Sequence, residues 1–91
     1  MRNDRFEGLG IFDDKGEVKR LVGSLIQQKD PRVAIDSLRK IDFSYIITLS
    51  KMRRRKEVEL TRTEIDASWE WRKGNFDETL QKKIEDTIDE L

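Results

Sequence analysis

Residues 43–63, FSYIITLSKMRRRKEVELTRT, determine which fold class this 91-residue chain takes, because they suit either a helix or a β-hairpin. The segment 43–50 is rich in β-formers, and Val58 and Leu60 alternate with glutamates. The connection 51–56, however, contains no Gly, Asn, Asp or Pro to make a turn, and its residue types favour helix. We therefore predict helix here; whether it is one helix, two helices or a hairpin stays open.

The segment before this stretch carries the periodicity of amphipathic helices. Asp14 and Glu17 suit the first turn of a helix whose apolar stripe recurs at helical spacing: Val18, Leu21, Val22, Leu25 and Ile26. Asp30-Pro31 then predicts the start of a second helix, over about residues 31–40. A third helix follows, with a core face composed of Tyr45 or Ile46, Leu49 and Met52.

The C-terminal third predicts an antiparallel helical hairpin, residues 64–73 against 78–91, joined through Gly74-Asn75. Capping residues begin both of its helices: Thr61 with Glu64 or Thr63 with Asp66 for the first, and Asp77 for the second. The second helix presents a regular apolar stripe: Leu80, Ile84, Ile88 and Leu91.

Together these patterns predict an all-α fold, a small bundle of four or five helices with a C-terminal antiparallel helical hairpin. Residues 1–12 lack clear periodicity, and we expect an N-terminal arm whose Leu9, Ile11 and Phe12 fold back on the core. Residues 13–91 form a single helical domain, because one proline and five glycines leave no stretch that resembles an interdomain linker.

Composition restricts the class of function. The chain contains no cysteine and no histidine, which removes thiolate nucleophiles, disulfides, and the commonest general base and metal ligand. No apolar run approaches the roughly 18 residues of a membrane span. We therefore expect a soluble, cytoplasmic, non-enzymatic domain with no cofactor, no metal and no membrane partner. With 42% charged and 35% apolar residues, its core is thin and suits completion against a partner.

Charge is balanced overall but not along the chain. Lys+Arg and Asp+Glu both number 19, yet residues 51–56 carry five cations and no acid, and residues 57–91 carry a net charge of −6. The candidate nucleic-acid-binding residues are Lys51, Arg53, Arg54, Arg55 and Lys56. Alternatively, these cations form a solvated face that pairs with Glu57, Glu59 or the acidic C-terminal helix. No aromatic residue interleaves with them, so base stacking gains no support.

Trp69 and Trp71 are the candidate anchors for a protein partner. Residues two apart on a helix point about 200° away from each other, so a single packed layer buries only one of them. We expect Trp69 to pack with Ile65 in the core, where truncation to alanine costs about 3–5 kcal/mol. We expect Trp71, on the opposite face with Ala67, to be partly exposed or to bind a second chain.

These features predict a small helical interaction module that binds another protein or itself, as a regulator, adaptor or assembly factor. The alternative is a nucleic-acid-binding regulator that uses the basic residues 51–56.

Overall fold

The computed structural model describes residues 10–91, which form a mixed fold of helices and an antiparallel sheet, so the all-α prediction is wrong. In chain order the main elements are helix α1 (Lys15–Lys29), strands β1 (Ala34–Ile41), β2 (Ser44–Lys51) and β3 (Arg54–Thr61), the short helix α2 (Arg62–Asp66) and helix α3 (Glu78–Asp89). Two 3-10 turns, Ile11–Asp13 and Trp71–Lys73, precede α1 and α3.

The three strands follow one another in the sheet in the order β1-β2-β3, and both neighbouring pairs are antiparallel. In the central strand, Ile47 lies opposite Leu38 of β1 and Val58 of β3. The segment 43–63 therefore contains a hairpin, which was the alternative to the predicted helix. The predicted helix over residues 31–40 is also wrong, because this segment is β1.

Burial of alternate residues explains why strands form where helices were predicted. Tyr45, Ile47 and Leu49 are fully buried in β2, and Val58 and Leu60 are buried in β3. Neighbours two apart point the same way in a strand, whereas a helix would turn them about 200° apart and expose one of each pair. Core burial therefore outweighs the helix propensity of the lysines and arginines between them.

Each strand connection is a two-residue turn, Asp42-Phe43 after β1 and Met52-Arg53 after β2. Asp42 and Met52 have positive φ angles of 40° and 59°, and the second residue of each turn does not. Positive φ at the first position alone is a feature of type II′ turns, where glycine is usual. Since neither turn contains glycine, the ordinary hairpin signal is missing. Met52, predicted to face the core, is 95% exposed at the end of its turn.

A β-bulge explains the false helical pattern in β1. The register of β1 shifts just after Ile35, so that Ile35 lies opposite Leu49 and Leu38 lies opposite Ile47. Both residues of β1 consequently lie on the core face, although they are three apart in sequence rather than two. A spacing of three is also typical of a helical stripe, which is why this segment suited both structures.

Helices α1 and α3 pack beside each other on one face of the sheet, and their buried side chains share one core with those of the strands. At the C-terminal ends of the two helices, Lys29 and Asp89 form an ion pair of 3.2 Å. The opposite face of the sheet is mainly polar, although it includes Ile41 and Ile46; for example, Ser37 Oγ donates to Thr48 Oγ1 at 3.0 Å. The sheet is therefore apolar toward the helices and hydrophilic on its outer face.

The predictions for α1 and α3 are confirmed, and so are the predicted caps of α1, α2 and α3. The side chains of Asp14, Thr61 and Asp77 accept hydrogen bonds from the backbone N–H groups of Glu17, Glu64 and Leu80, respectively. At the predicted stop, Gly74 is left-handed with a φ of 88°, a conformation that glycine adopts without a steric penalty.

The predicted C-terminal helical hairpin is wrong, because α2 ends at Asp66 instead of continuing to Lys73. Buried Ser68 accepts a hydrogen bond from the backbone N–H of Asp77 at 2.9 Å, which binds this turn to the start of α3. The chain then enters the second 3-10 turn, where Trp71 reaches α1. These contacts require an irregular path between α2 and α3.

Part of the predicted N-terminal arm packs on the core as expected. Phe12 is buried, its ring meets Tyr45 edge-on at 5.0 Å between centroids, and its carbonyl accepts the Tyr45 hydroxyl at 2.8 Å. Burial raises the pKa of the Tyr45 hydroxyl, with smaller contributions from nearby aspartates. Ile11 also packs against the core, whereas Leu9 and the rest of residues 1–9 lie outside the described residues.

Candidate interaction surface

Trp71, one of the two predicted protein-binding residues, is half-buried and packs against the core. Its indole N–H donates to Glu17 Oε2 at 3.1 Å, and the Arg72 guanidinium lies over its ring at 4.5 Å from the centroid. Ala67, the other predicted residue, is exposed in the turn that follows α2. The ring of Trp71 therefore links the segment before α3 to helix α1.

Glu17 is a buried carboxylate in the first turn of α1. Besides the Trp71 indole, it accepts hydrogen bonds from both terminal nitrogens of Arg72 and, at 3.2 Å, from Arg20. The Arg72 guanidinium, with Arg20 and Trp71, lowers the pKa of the Glu17 carboxyl despite its burial. This cluster holds the residues before α3 in place against α1.

Trp69 has the opposite environment from the one predicted, because its side chain is 70% exposed. The irregular path after Asp66 turns Trp69 outward and Trp71 inward, which reverses the assignment made from helical geometry. Trp69 borders a groove of about 880 Å³, which we call the Trp69 groove. Its charged walls are formed by Asp13, Asp14, Lys15, Glu17, Asp66 and Arg72.

Four carboxylates and two cations line the Trp69 groove. Three of the carboxylates are paired: Asp13 with Lys40 at 3.3 Å and with Arg62 at 3.6 Å, Asp66 with Arg62 at 3.5 Å, and Glu17 with Arg20 and Arg72. Asp14 caps α1 through a backbone N–H and pairs with no cation among residues 10–91. No group of three or more acidic residues in this range is arranged to hold a metal ion. The exposed tryptophan and the unpaired Asp14 carboxylate suit a cationic, partly apolar ligand.

The candidate nucleic-acid-binding residues form the β2–β3 turn and its flanks, residues 51–56, which we call the basic tip. Three of its five cations have acidic partners: Lys51 with Asp30 at 2.8 Å, Arg55 with Asp36 at 3.2 Å and Lys56 with Glu90 at 3.1 Å. The hydrogen bonds from Lys51 and Arg32 hold the pKa of the Asp30 carboxyl well below its usual range.

The two cations at the end of the basic tip are different. Arg53 and Arg54 are exposed and pair with no carboxylate within the described part of the chain. Arg53 lies in the two-residue turn beside Met52, which is almost fully exposed, and Arg54 is the first residue of β3. The structure therefore concentrates unpaired positive charge and one exposed apolar side chain at a single point.

Sequence reasoning missed Glu17 and misplaced Trp69. Glu17 could have been found, because it precedes Leu21 and Leu25 by four and eight residues and so continues the buried stripe of α1. A charged residue inside an apolar stripe indicates a buried, paired carboxylate. The exposure of Trp69 has no such signal, because it depends on where α2 ends.

No known protein family matches the sequence, and no curated protein or solved structure matches it. None of the helices within residues 10–91 is both long enough and apolar enough to cross a membrane.

Proposed function

We propose that this protein is a small protein-interaction module and that the Trp69 groove is its contact surface. The observation that carries the proposal is the 70% exposure of Trp69 beside a groove of about 880 Å³. Tryptophan is among the residues that most often anchor protein interfaces, and this volume lies within the about 300–1,000 Å³ typical of binding pockets. Ala67, exposed in the same turn, extends the surface.

The groove has a rigid frame, which supports a binding role because a preformed surface loses little entropy on association. On one side, Glu17 and Arg72 join α1 to the segment before α3. On the other side, Asp66 Oδ1 accepts the backbone N–H of Phe12 at 3.1 Å. Gly10 has a φ of 68°, and a Cβ there would lie 2.6 Å from Asp66 Oδ1, so glycine permits this close approach.

Selection of random peptides displayed on phage tests the proposal. The immobilised protein should enrich peptides that bind the parent and lose at least tenfold in affinity for Trp69→Ala, equivalent to about 1.4 kcal/mol. Because Trp69 is largely exposed, the variant should retain the parent's unfolding free energy to within about 0.5 kcal/mol.

Phe43→Ala provides the matched control. Phe43 is also exposed, to 71%, but it does not line the groove, so its removal should leave peptide binding unchanged. Failure to enrich any peptide, or equal binding of the peptides to parent and Trp69→Ala, would contradict the proposal.

Nucleic-acid binding through the basic tip is the second candidate function, favoured by the unpaired Arg53 and Arg54. A two-stranded β-ribbon fits the major groove of DNA, and two exposed guanidinium groups at its end suit contacts with phosphates. Fluorescence anisotropy with a mixed-sequence DNA duplex, across a salt titration, measures this activity. Arg53→Ala/Arg54→Ala should weaken binding and flatten the salt slope by about 0.9 per lost contact. Undetectable parent binding at low salt would remove this candidate.

A further inference from the structure

We propose that the ligand of the Trp69 groove is the basic tip of a second copy of this chain, so that the molecules associate head to tail. The inference rests on the proposed function of the groove and names its partner. It joins two exposed features of the described residues: Trp69 and the Met52-Arg53 turn with the adjoining Arg54.

One carboxylate of the groove complements the charge of the basic tip. Asp14 has no cationic partner among residues 10–91, whereas the other three lining carboxylates are paired with cations of the same chain. The basic tip contributes two guanidinium groups that no carboxylate of the same range neutralises. An Arg53 or Arg54 side chain that enters the groove replaces water by a carboxylate and the face of a tryptophan ring, both of which attract it.

The apolar parts also match. Met52 is 95% exposed and Trp69 is 70% exposed, although large apolar side chains are usually buried. A methionine sulfur gains favourable contact with an aromatic ring, and its flexible chain fills irregular space. The tip is narrow, since strands of a hairpin lie about 5 Å apart, and the groove of about 880 Å³ has room for its two or three end residues.

The two surfaces lie at opposite ends of the molecule, so a chain cannot occupy its own groove. Helix α1 begins at the groove with Lys15 and ends at Lys29, after which Asp30 binds Lys51 beside the tip. Its 15 residues span about 22 Å at 1.5 Å per residue. The contact must therefore form between molecules, and because it joins unlike surfaces it produces open chains or closed rings, the smallest of which is a dimer with two reciprocal contacts.

Light scattering after size-exclusion chromatography, together with sedimentation velocity, tests the inference at protein concentrations from about 10 μM to about 1 mM, which covers weak association. The parent should form species larger than a monomer at low salt and lose them at about 1 M salt, where charges are screened beyond about 3 Å. Trp69→Ala and Arg53→Glu/Arg54→Glu should each be monomeric.

Mixing the two variants gives the sharpest outcome. Trp69→Ala retains an intact tip and Arg53→Glu/Arg54→Glu retains an intact groove, so the mixture should form a 1:1 heterodimer and nothing larger. Lys82→Glu, which reverses an exposed cation of α3 away from the tip, is the charge control and should associate like the parent. Circular dichroism should show that all variants remain folded.

A parent that stays monomeric at every concentration and salt, or association that survives in either variant, would overturn the inference. Peptide selection distinguishes a failure of the head-to-tail inference from a failure of the proposed function of the groove. If Trp69-dependent peptides are enriched while the parent remains monomeric, the groove binds a different protein. If neither binding nor association occurs, the groove has no interaction role.

Discussion

At the scale of single residues, Glu17 shows how the fold tolerates a charge in a thin core. The carboxylate is buried at the first turn of α1, yet both terminal nitrogens of Arg72, Arg20 and the Trp71 indole all donate to it. Burial of a charge in an apolar environment is costly unless such donors surround it. Its position near the helix N-terminus adds a favourable interaction with the helix dipole.

Glu17→Gln should destabilise the protein by about 1.5–3 kcal/mol at pH 7, since it removes charge-assisted hydrogen bonds. We expect a value at the lower end of this range, because the Arg72 side chain is 61% exposed and solvent screens its ion pair with Glu17. Folding lowers the pKa of Glu17 from its ordinary value of 4.5, so the stabilisation is fully present above that pH and is lost as the pH falls toward the folded-state pKa.

Urea unfolding at pH 7 and at about pH 3 should therefore show a smaller difference between parent and Glu17→Gln in acid. Asp86→Asn, which loses an exposed pair with Lys82, is the control and should change little. An equal destabilisation by Glu17→Gln at both pH values would contradict the assignment.

Met52 carries backbone strain at the β2–β3 turn, because its φ of 59° is unfavourable for any residue with a Cβ. Met52→Gly should relieve this strain. Glycine also gives the unfolded chain more entropy, which opposes the gain, so the net rise in the unfolding free energy should be about 0.5–1 kcal/mol. Met52→Ala should have little effect, since the side chain is almost fully exposed. In a helix, glycine would instead cost about 1 kcal/mol relative to alanine, so destabilisation by Met52→Gly would argue against the turn.

At the scale of elements, α1 and α3 were predictable because each has a cap and a regular stripe that only a helix satisfies. The strands were not, for three local reasons. Tyr45 and Leu49 fit a helical spacing of four as well as a strand spacing of two, and the bulge in β1 separates Ile35 and Leu38 by three. The Met52-Arg53 turn lacks the glycine that signals a hairpin. Pairing between neighbouring strands, and burial of their core face, therefore decided a choice that local pattern left open.

The candidate site was also predictable only in part, because part of it depends on contacts between elements. The sequence identified two tryptophans with unequal environments and an exposed basic run, and the structure shows both features. It assigned exposure to Trp71 rather than Trp69, because the prediction assumed one regular helix to Lys73, whereas α2 ends at Asp66. The groove itself depends on contacts between Asp66 and residues near Gly10, which no local pattern reveals.

The junction between α2 and α3 depends on the Ser68 hydroxyl, which donates to the Glu64 carbonyl at 3.0 Å and accepts the Asp77 N–H at 2.9 Å. Ser68→Ala leaves that partly buried N–H without a protein partner and should reduce the unfolding free energy by about 1–3 kcal/mol. Thr87→Ala is the control, because its hydroxyl only donates to the Lys83 carbonyl within α3. Chemical denaturation measures both; a loss no greater for Ser68→Ala than for Thr87→Ala would contradict this role.

At the scale of the whole molecule, the layered arrangement places the Trp69 groove and the basic tip at opposite ends. The described residues extend over 46 × 27 × 19 Å, with the N-terminal end of α1 at the Trp69 groove and its C-terminal end beside the basic tip. This separation follows from the topology: a helix that spans the sheet carries the chain from one end to the other before β1 begins. The proposed head-to-tail contact depends on this polarity, and the polarity depends on the three-stranded sheet.

Nuclear Overhauser spectroscopy of the isotope-labelled protein tests the sheet most directly. The register predicts contacts from Ile47 of β2 to both Leu38 and Val58, residues that are 9 and 11 positions away in sequence. A helix places residues three and four apart in contact but never residues at this separation. Cross-strand contacts at Ile47 are the result that the structure predicts. Sequential helical contacts throughout residues 44–61, without the cross-strand contacts, would contradict the fold and the surfaces built on it.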